Sequence, residues 1–220
     1  MPASQKPKTS AKKRDYRLPS GKRVVGVTTV LDVLNKPGLV KWANRLGLEG
    51  IDVTKYVDKL ADVGTCAHYL IQMHLQQAEP NLSSYSPEVV DLAENSFLSY
   101  LTWEQKHTIK PILCEAPLVS IEHEFGGTID VYCELDGGYT LLDCKTSKTI
   151  YDEHIYQVST YRQLLRENNY TVDGVHVLQI PRTEDEAFDD RLLSETQLNN
   201  GWQVFLACLK LYNLKKAVGM

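Results

Sequence analysis

The sequence of 220 residues lacks any long apolar run, and this absence sets the first limit on its class. No segment approaches the ~18 consecutive apolar residues that cross a bilayer, which excludes an integral membrane protein. The first 23 residues contain no apolar stretch like that of a secretory signal, so we expect a cytoplasmic, intracellular protein without a membrane partner. Hydrophobic residues make up 43% and charged residues 24% of the chain, as is typical of a single globular domain.

The chain has few cysteines, and no two of them form a Cys-x-x-Cys pair. Their odd number, five, predicts reduced thiols in an intracellular protein, and the missing pair argues against a structural zinc. Positive charge is also scarce, with 24 basic against 28 acidic residues, but it is concentrated at the start. We interpret residues 1–15 as a disordered basic leader and residues 16–220 as one domain. Such a leader could contact phosphates or simply increase solubility.

Periodicity and breaker residues predict the order of the elements. The first half is mostly helical, and the middle is β-rich and broken by glycine pairs. We expect a mixed α/β fold, with a central sheet flanked by helices and a helical N-terminal part. The predicted elements are a strand at 22–30, helices at 37–46, 54–77 and 86–106, a sheet at 112–145, a helix at 153–167, a strand at 175–180, an acidic loop at 184–190 and a closing helix that carries 202–212.

A hairpin between Gly126 and Lys148 contains the most informative residues. A two-residue loop at Gly137-Gly138 would place Asp130 opposite Lys145. Alternation then puts the charged side chains on one face and a hydrophobic core on the other. A three-residue loop would instead move Asp130 to the face opposite Asp143. The predicted polar face holds Asp130, Tyr132, Glu134, Asp143 and Lys145, and the predicted core face holds Ile129, Val131, Cys133, Leu142 and Cys144.

Two carboxylates and an ammonium on one face suit the hydrolysis of a phosphodiester. Asp130 and Asp143 would be diagonal neighbours that can share a hard divalent cation such as Mg²⁺. Lys145 could orient a water molecule, take part in its deprotonation or neutralise charge in the transition state. The competing interpretation is a solvated face with ordinary cross-strand ion pairs.

Four motifs in order resemble the RecB-like exonuclease branch of the PD-(D/E)XK nuclease superfamily. They are "GTCAH" at Gly64–His68, "GTID" at Gly127–Asp130, "DCK" at Asp143–Lys145 and "QVSTY" at Gln157–Tyr161. The lead-in "VTTVLDVLNKPGLVKWA" at Val27–Ala43 is similar to that of compact exonucleases in this branch, including phage proteins and the mitochondrial genome-maintenance exonuclease. The resemblance implies a restriction-endonuclease-like core, and the phage members suggest a phage-encoded protein that acts in its host cell.

The resemblance also implies roles for individual residues. The metal ligands would be His68, Asp130, Asp143 and the backbone carbonyl of Cys144. The catalytic residues would be Asp130, Asp143 and Lys145. Glu115 would support the site, or else be a charge at a strand edge. The motif near the C-terminal side would bind DNA without reading sequence, or would be an ordinary amphipathic helix. The candidate DNA-binding residues are Gln157, Tyr161, Lys148 and Arg162.

The ligand types suggest the cofactor, because carboxylates favour Mg²⁺ and the His68 imidazole makes Mn²⁺ at least as acceptable. Some members of this branch hold an iron–sulfur cluster with three cysteines near the C-terminus. Here only Cys208 follows Tyr161, so we predict no iron–sulfur cluster.

The expected function is metal-dependent DNA exonuclease activity on single-stranded ends. The alternatives are a structure-selective endonuclease on the same core and a non-catalytic, nuclease-derived DNA-binding module. Protein partners leave no trace in the sequence.

Overall fold

The computed structural model describes residues 14–219, so most of the predicted leader lies outside the described residues. The chain enters the fold through two short strands, β1 (Tyr16–Arg17) and β2 (Arg23–Gly26), followed by a short helix, α1 (Val27–Leu31). The predicted strand at 22–30 is therefore wrong beyond Gly26. Its β-branched residues become helical because Val27, Val30 and Leu31 are buried in the core, and this burial outweighs their intrinsic β preference.

Three longer helices form the N-terminal part, and their start signals agree with the sequence. Helix α2 (Pro37–Leu48) begins with a proline in its first turn. Helix α3 (Val53–Leu75) is capped by the Asp52 side chain, and α4 (Pro87–Glu104) is capped by Ser86. No described helix is both long and apolar enough to span a bilayer.

The remaining elements build a mixed sheet with helices on both sides, which confirms the predicted fold class. The strands are β3 (Ile109–Ser120), β4 (Phe125–Leu135), β5 (Gly138–Lys145), β6 (Gly174–Gln179) and β7 (Asp189–Leu192). Helix α5 (Asp152–Glu167) connects β5 to β6, and α6 (Glu195–Ala217) follows β7. The strand order is β1-β2-β4-β5-β6-β7, with β3 paired to β4. The predicted acidic loop at 184–190 ends in strand β7, which is a correction to the sequence interpretation.

Two hydrophobic layers cover the sheet. On one side, α1, α5 and α6 pack over Ile129, Tyr132 and Leu141. On the other side, α3 and α4 pack over Val131 and Leu142. The predicted division into one polar and one core face is therefore wrong, because apolar side chains from the sheet contribute to both layers. Ile129 and Tyr132 also share a layer, so the regular alternation breaks between them, at Asp130.

The hairpin turn differs from the prediction by one position at each end. The loop is Asp136-Gly137, with φ values of 50° and 91°, which are those of a type I′ turn. Strand β4 therefore pairs Glu134 with Tyr139 and Val131 with Leu142. Continued by one step, this register would place Asp130 opposite Asp143, whereas the Gly137-Gly138 loop would have placed it opposite Lys145. The shift is by two residues along one strand, so side-chain parity is kept.

One edge of β4 is shared by two strands that diverge. Strand β3 pairs with β4 along its whole length, from Phe125 to Leu135. On the other edge β2 pairs in parallel with Phe125 and Gly126, and β5 pairs antiparallel with residues 131–135. The carboxyl ends of β2 and β5 therefore meet beside residues 127–130. Such points, where neighbouring strands part, are common ligand sites in α/β sheets.

Candidate active site

His68 reaches the sheet from α3, at the place where β2 and β5 diverge. Its Nε2 lies 2.9 Å from the carbonyl oxygen of Cys144. Its Nδ1 lies 3.5 Å from Asp130 Oδ2 and 3.5 Å from Glu115 Oε1. A Cβ at Gly64, one turn earlier, would lie only 3.2 Å from Thr146 Oγ1, so a small residue lets α3 approach β5 closely. With Nε2 donating to the carbonyl, the other ring nitrogen faces the carboxylates.

Asp130 joins β4 to β5 through its side chain. The backbone N–H of Cys144 donates to Asp130 Oδ2 at 3.1 Å. This contact replaces the strand ladder, which ends at Val131 and Leu142. The carboxylate is therefore fixed beside both the Cys144 amide and the His68 ring.

Asp143 is fully buried, and Lys145 lies next to it. Lys145 Nζ is 2.5 Å from Asp143 Oδ2, and the exposed fractions of the two side chains are 15% and 0%. Asp143 Oδ1 is also buried and accepts no hydrogen bond from any residue between 14 and 219. Such an orphaned carboxylate oxygen is costly inside a protein unless a cation or water satisfies it.

The charges at the site change the pKa values of its members. Burial alone would lower the pKa of His68, but the Asp130 and Glu115 carboxylates raise it to about 9. Burial raises the pKa of Asp130 to about 6, against the lowering effect of His68. Burial would lower the pKa of Lys145, but Asp143 and Asp130 raise it above its ordinary value. Lys145 is therefore an ammonium at neutral pH in the metal-free protein.

Three of these side chains could hold a divalent ion together. One ligand atom from each of His68, Glu115 and Asp130 lies within 4.8 Å of the others. Beside them is a cavity of about 10 Å³, lined also by Cys144. This is close to the roughly 10–15 Å³ that one water molecule needs. Two carboxylates and an imidazole suit Mn²⁺ and also Mg²⁺, so the donors fit the ion that the sequence suggests.

The geometry changes the order of importance within the predicted ligand set. Glu115 belongs to the compact group with His68 and Asp130, although the resemblance implied only a supporting role for it. Asp143 instead forms an ion pair with Lys145, and the Cys144 carbonyl accepts a hydrogen bond from His68. One oxygen of Asp143 and one lone pair of the carbonyl remain available for a cation.

Glu115 has an unusual backbone and two partners. Its φ is +51°, in the left-handed region that side chains other than glycine, asparagine and aspartate seldom adopt. Its Oε2 accepts a hydrogen bond of 2.6 Å from Arg14 Nη2. Burial opposes ionisation, but His68 and Arg14 lower the pKa of Glu115. A strained backbone at a charged residue is typical of functional sites.

The Gln-x-x-x-Tyr motif lies on α5 as predicted, with its two polar groups in contact. Gln157 Nε2 donates to the Tyr161 hydroxyl at 2.7 Å. Tyr161 is only 5% exposed, and its ring lies against Gly127, where a Cβ would come within 2.7 Å of Cε1. The glycine of the Gly-x-x-Asp motif therefore makes room for the tyrosine of the later motif.

The two basic candidates for DNA contact have different surroundings. Lys148 is exposed at the end of the segment after β5. Arg162 is 4% exposed, and its guanidinium donates to both oxygens of Glu195 and to Asn199 on α6. Arg162 thus joins two helices, and in this buried position its guanidinium does not face a phosphate at the surface.

An open groove of about 1110 Å³ leads to the site. One wall comes from the start of the chain, including Arg14, Tyr16 and Arg23, and another from Tyr212 and Lys216 on α6. His68, Glu115 and Asp130 lie in it. The sequence interpretation missed these walls, since its only signal was the excess of basic residues at the start.

Comparisons with known proteins give a distant structural match. No protein-family model matches the chain, and neither does any curated protein. Among solved structures, the chain resembles a protein from Eubacterium rectale that carries the provisional name exonuclease. The two are 10% identical, the match covers 70% of this chain and 68% of the other, and the TM-score is 0.47. A likeness this distant does not identify a function, which must follow from the side-chain geometry.

Proposed function

We propose that the protein is a metal-dependent deoxyribonuclease of the PD-(D/E)XK type. One observation carries the proposal: a buried Asp143 with an unpartnered oxygen lies beside Lys145, and His68, Glu115 and Asp130 line the neighbouring groove. Buried charges destabilise a fold unless each is paired with an opposite charge or binds a cation. Perturbed acid and base groups in a cleft are typical of active sites.

Each side chain has a role that follows from its position. Lys145, which is protonated, donates to the anionic oxygens of the phosphodiester and stabilises the charge that develops on them. His68, Glu115 and Asp130 would hold the cation, and Asp143 holds Lys145 in place while its other oxygen has no hydrogen-bond partner among the described residues. A bound Mg²⁺ or Mn²⁺ would act as a Lewis acid on the phosphate and would lower the pKa of the attacking water.

The groove supports a nucleic acid as the substrate. Its volume of about 1110 Å³ exceeds the roughly 300–1,000 Å³ of small-ligand pockets. Arg14, Arg23 and Lys216 supply positive charge along it, and Tyr16 and Tyr212 supply aromatic rings. Cations together with aromatic side chains suit a single strand, because they bind phosphates and bases without reading sequence.

We extend the proposal to exonuclease activity on single-stranded DNA ends, in the RecB-like branch. The motif order supports the branch, and the contact between Gln157 and Tyr161 beneath Gly127 supports the pairing of two of its motifs. A single strand entering between the N-terminal segment and α6 would bring its end to Asp130.

The test is digestion of single strands labelled at the 5′ end or the 3′ end, together with circular single strands, in Mg²⁺, Mn²⁺ or EDTA. Mononucleotides from linear strands alone would support the exonuclease, and cut circles would indicate an endonuclease. Tight binding without any product would overturn the nuclease in favour of a binding module.

The matched variants are Asp143→Asn and Glu122→Gln. The first removes a charge inside the site, and the second removes one from a carboxylate that is 75% exposed. We expect D143N to lose hydrolysis and E122Q to keep it. Retention of activity in D143N at the level of E122Q would refute the assignment.

A further inference from the structure

Arg14 and Glu115 form an ion pair inside the candidate active site, although they lie 101 positions apart in the sequence. Arg14 Nη2 is 2.6 Å from Glu115 Oε2, while Glu115 Oε1 is 3.5 Å from His68 Nδ1. The same carboxylate therefore serves both a guanidinium and the group of residues that could hold a cation. A fixed positive charge on a metal ligand opposes the binding of another cation there.

The segment that carries Arg14 is anchored, but the side chain itself is not enclosed. The ring of Tyr16 lies against Gly126, where a Cβ would come within 2.5 Å of Cγ, and the Tyr16 hydroxyl lies 3.0 Å from Thr128 Oγ1. The Arg14 side chain is 51% exposed and lines the groove. Within residues 14–219 its guanidinium forms one ion pair, with Glu115.

A guanidinium that lines the groove could bind a second partner, a phosphate of DNA bound there. Arginine binds phosphate oxygens in the same two-pronged geometry as carboxylates. The other arginine of the groove, Arg23, has a different partner, since its Nε is 2.8 Å from Asp15 Oδ1. Of the two, only Arg14 can exchange a candidate metal ligand for a phosphate.

We propose that Arg14 is a substrate-positioning residue that pairs with Glu115 in the free protein and with a DNA phosphate in the complex. This inference rests on the proposed function and deepens it. Binding of either the cation or the DNA breaks the ion pair and frees a partner for the other ligand. Each ligand therefore increases the affinity for the other, because the second ligand binds after the ion pair has already been broken and does not lose that free energy again.

The inference predicts changes of opposite sign in Arg14→Gln. Without DNA, R14Q should bind Mn²⁺ about fivefold more tightly than the wild type, at the low end of typical coupling. In EDTA, it should bind a fluorescently labelled single-stranded oligonucleotide about fivefold more weakly, since one phosphate contact is lost. A purely structural role would weaken both affinities, and a simple phosphate contact would leave Mn²⁺ affinity unchanged.

The experiment measures Mn²⁺ binding by calorimetry on DNA-free protein and oligonucleotide binding by fluorescence anisotropy. Arg23→Gln is the matched control, because it removes a groove arginine that does not touch Glu115. We expect R23Q to keep wild-type Mn²⁺ affinity. Thermal unfolding of each variant checks that the fold is intact.

The outcomes separate this inference from the proposed function. A wild type that binds Mn²⁺ and digests DNA, with no gain in Mn²⁺ affinity in R14Q, would overturn the role of Arg14 alone. A wild type that neither binds Mn²⁺ nor digests DNA would overturn both. A gain in Mn²⁺ affinity in R14Q but not in R23Q, with weaker DNA binding in R14Q, would establish the exchange.

Discussion

His68 on α3 and Cys144 on β5 are 76 positions apart, yet His68 Nε2 lies 2.9 Å from the Cys144 carbonyl oxygen. The backbone N–H of the same cysteine donates to Asp130 at 3.1 Å. One peptide segment therefore orients both a histidine and a carboxylate of the site. Backbone groups are dependable supports because they belong to a rigid strand, and orientation of metal-binding histidines by carbonyls is common.

Replacement of Lys145 by methionine should remove activity and also destabilise the fold. K145M leaves Asp143 buried without its cation, so we expect the free energy of unfolding to fall by about 3 kcal/mol. On the predicted polar face, with both side chains in solvent, the same substitution would leave folding largely untouched. Urea denaturation checks the loss. The double variant D143L/K145M is the control, and it should regain stability without regaining hydrolysis; equal stability of K145M and wild type would contradict the buried pair.

Replacement of His68 by alanine should reduce hydrolysis less than Asp143→Asn does, and the loss should depend on the metal. Nitrogen ligands favour Mn²⁺ over Mg²⁺, so H68A should lose more activity with Mn²⁺. Initial rates measured over a range of concentrations of each metal, including subsaturating ones, provide the test. Equal losses with both ions would argue against a histidine ligand.

Replacement of Gly126 by alanine should displace the first strand. The added Cβ would come within 2.5 Å of Tyr16 Cγ, and such overpacking costs about 1–3 kcal/mol. Tyr16→Ala removes the clash, so G126A/Y16A should be no less stable than Y16A. Gly38→Ala on α2 is the control, because nothing lies within 4 Å of its Cβ position; we expect G38A to match or exceed wild-type stability in thermal unfolding.

Replacement of Arg162 by alanine should act on stability, whereas Lys148→Ala should act on DNA binding. R162A removes a buried guanidinium with hydrogen bonds to Glu195 and Asn199, at an expected cost of about 2 kcal/mol. K148A should leave the unfolding midpoint unchanged and lower the salt dependence of DNA affinity by about one phosphate contact. Denaturation and anisotropy titrations at several salt concentrations measure the two effects. A wild-type unfolding midpoint together with weakened DNA binding in R162A would indicate that Arg162 binds DNA after all.

Stability should fall at acidic pH through the buried pair of Arg182 and Glu186. Arg182 Nη2 lies 2.8 Å from Glu186 Oε1, and the two side chains are 9% and 8% exposed. Burial opposes ionisation, but Arg182 holds the pKa of Glu186 below its ordinary value of 4.5. A lowered pKa in the folded state contributes stability above pH 4.5 that is lost as the pH falls further. Unfolding free energies between pH 7 and 3 should decline less steeply in E186Q than in the wild type.

The sequence predicts those parts of the fold that local signals control. Pro37 and Ser86 mark helix starts that the structure reproduces, and the predicted start at 54 lies one residue from Val53. The hairpin residues also follow from their composition. The exact position of the turn does not follow. The positive φ values lie at Asp136 and Gly137, but the pair Gly137-Gly138 could have adopted positive φ values equally well.

The parts that the sequence does not predict depend on distant packing. Burial of Asp143 requires helices on both faces of β5, and no local pattern reports the second layer. The pair of Arg14 and Glu115 joins segments that are 101 positions apart in the sequence, so only the three-dimensional structure shows it. Motif spacing can nominate residues, but it cannot say which of them pair with one another.

The groove described above takes one wall from β1 and β2 and the other from α6, the first and last elements of the described chain. During synthesis the ribosome must therefore complete α6 before both walls of the groove can form. A nascent chain that already contains Asp130, Asp143 and Lys145 would still lack the second wall. The groove thus depends on the synthesis of the chain through α6, however early the residues of the candidate site are in place.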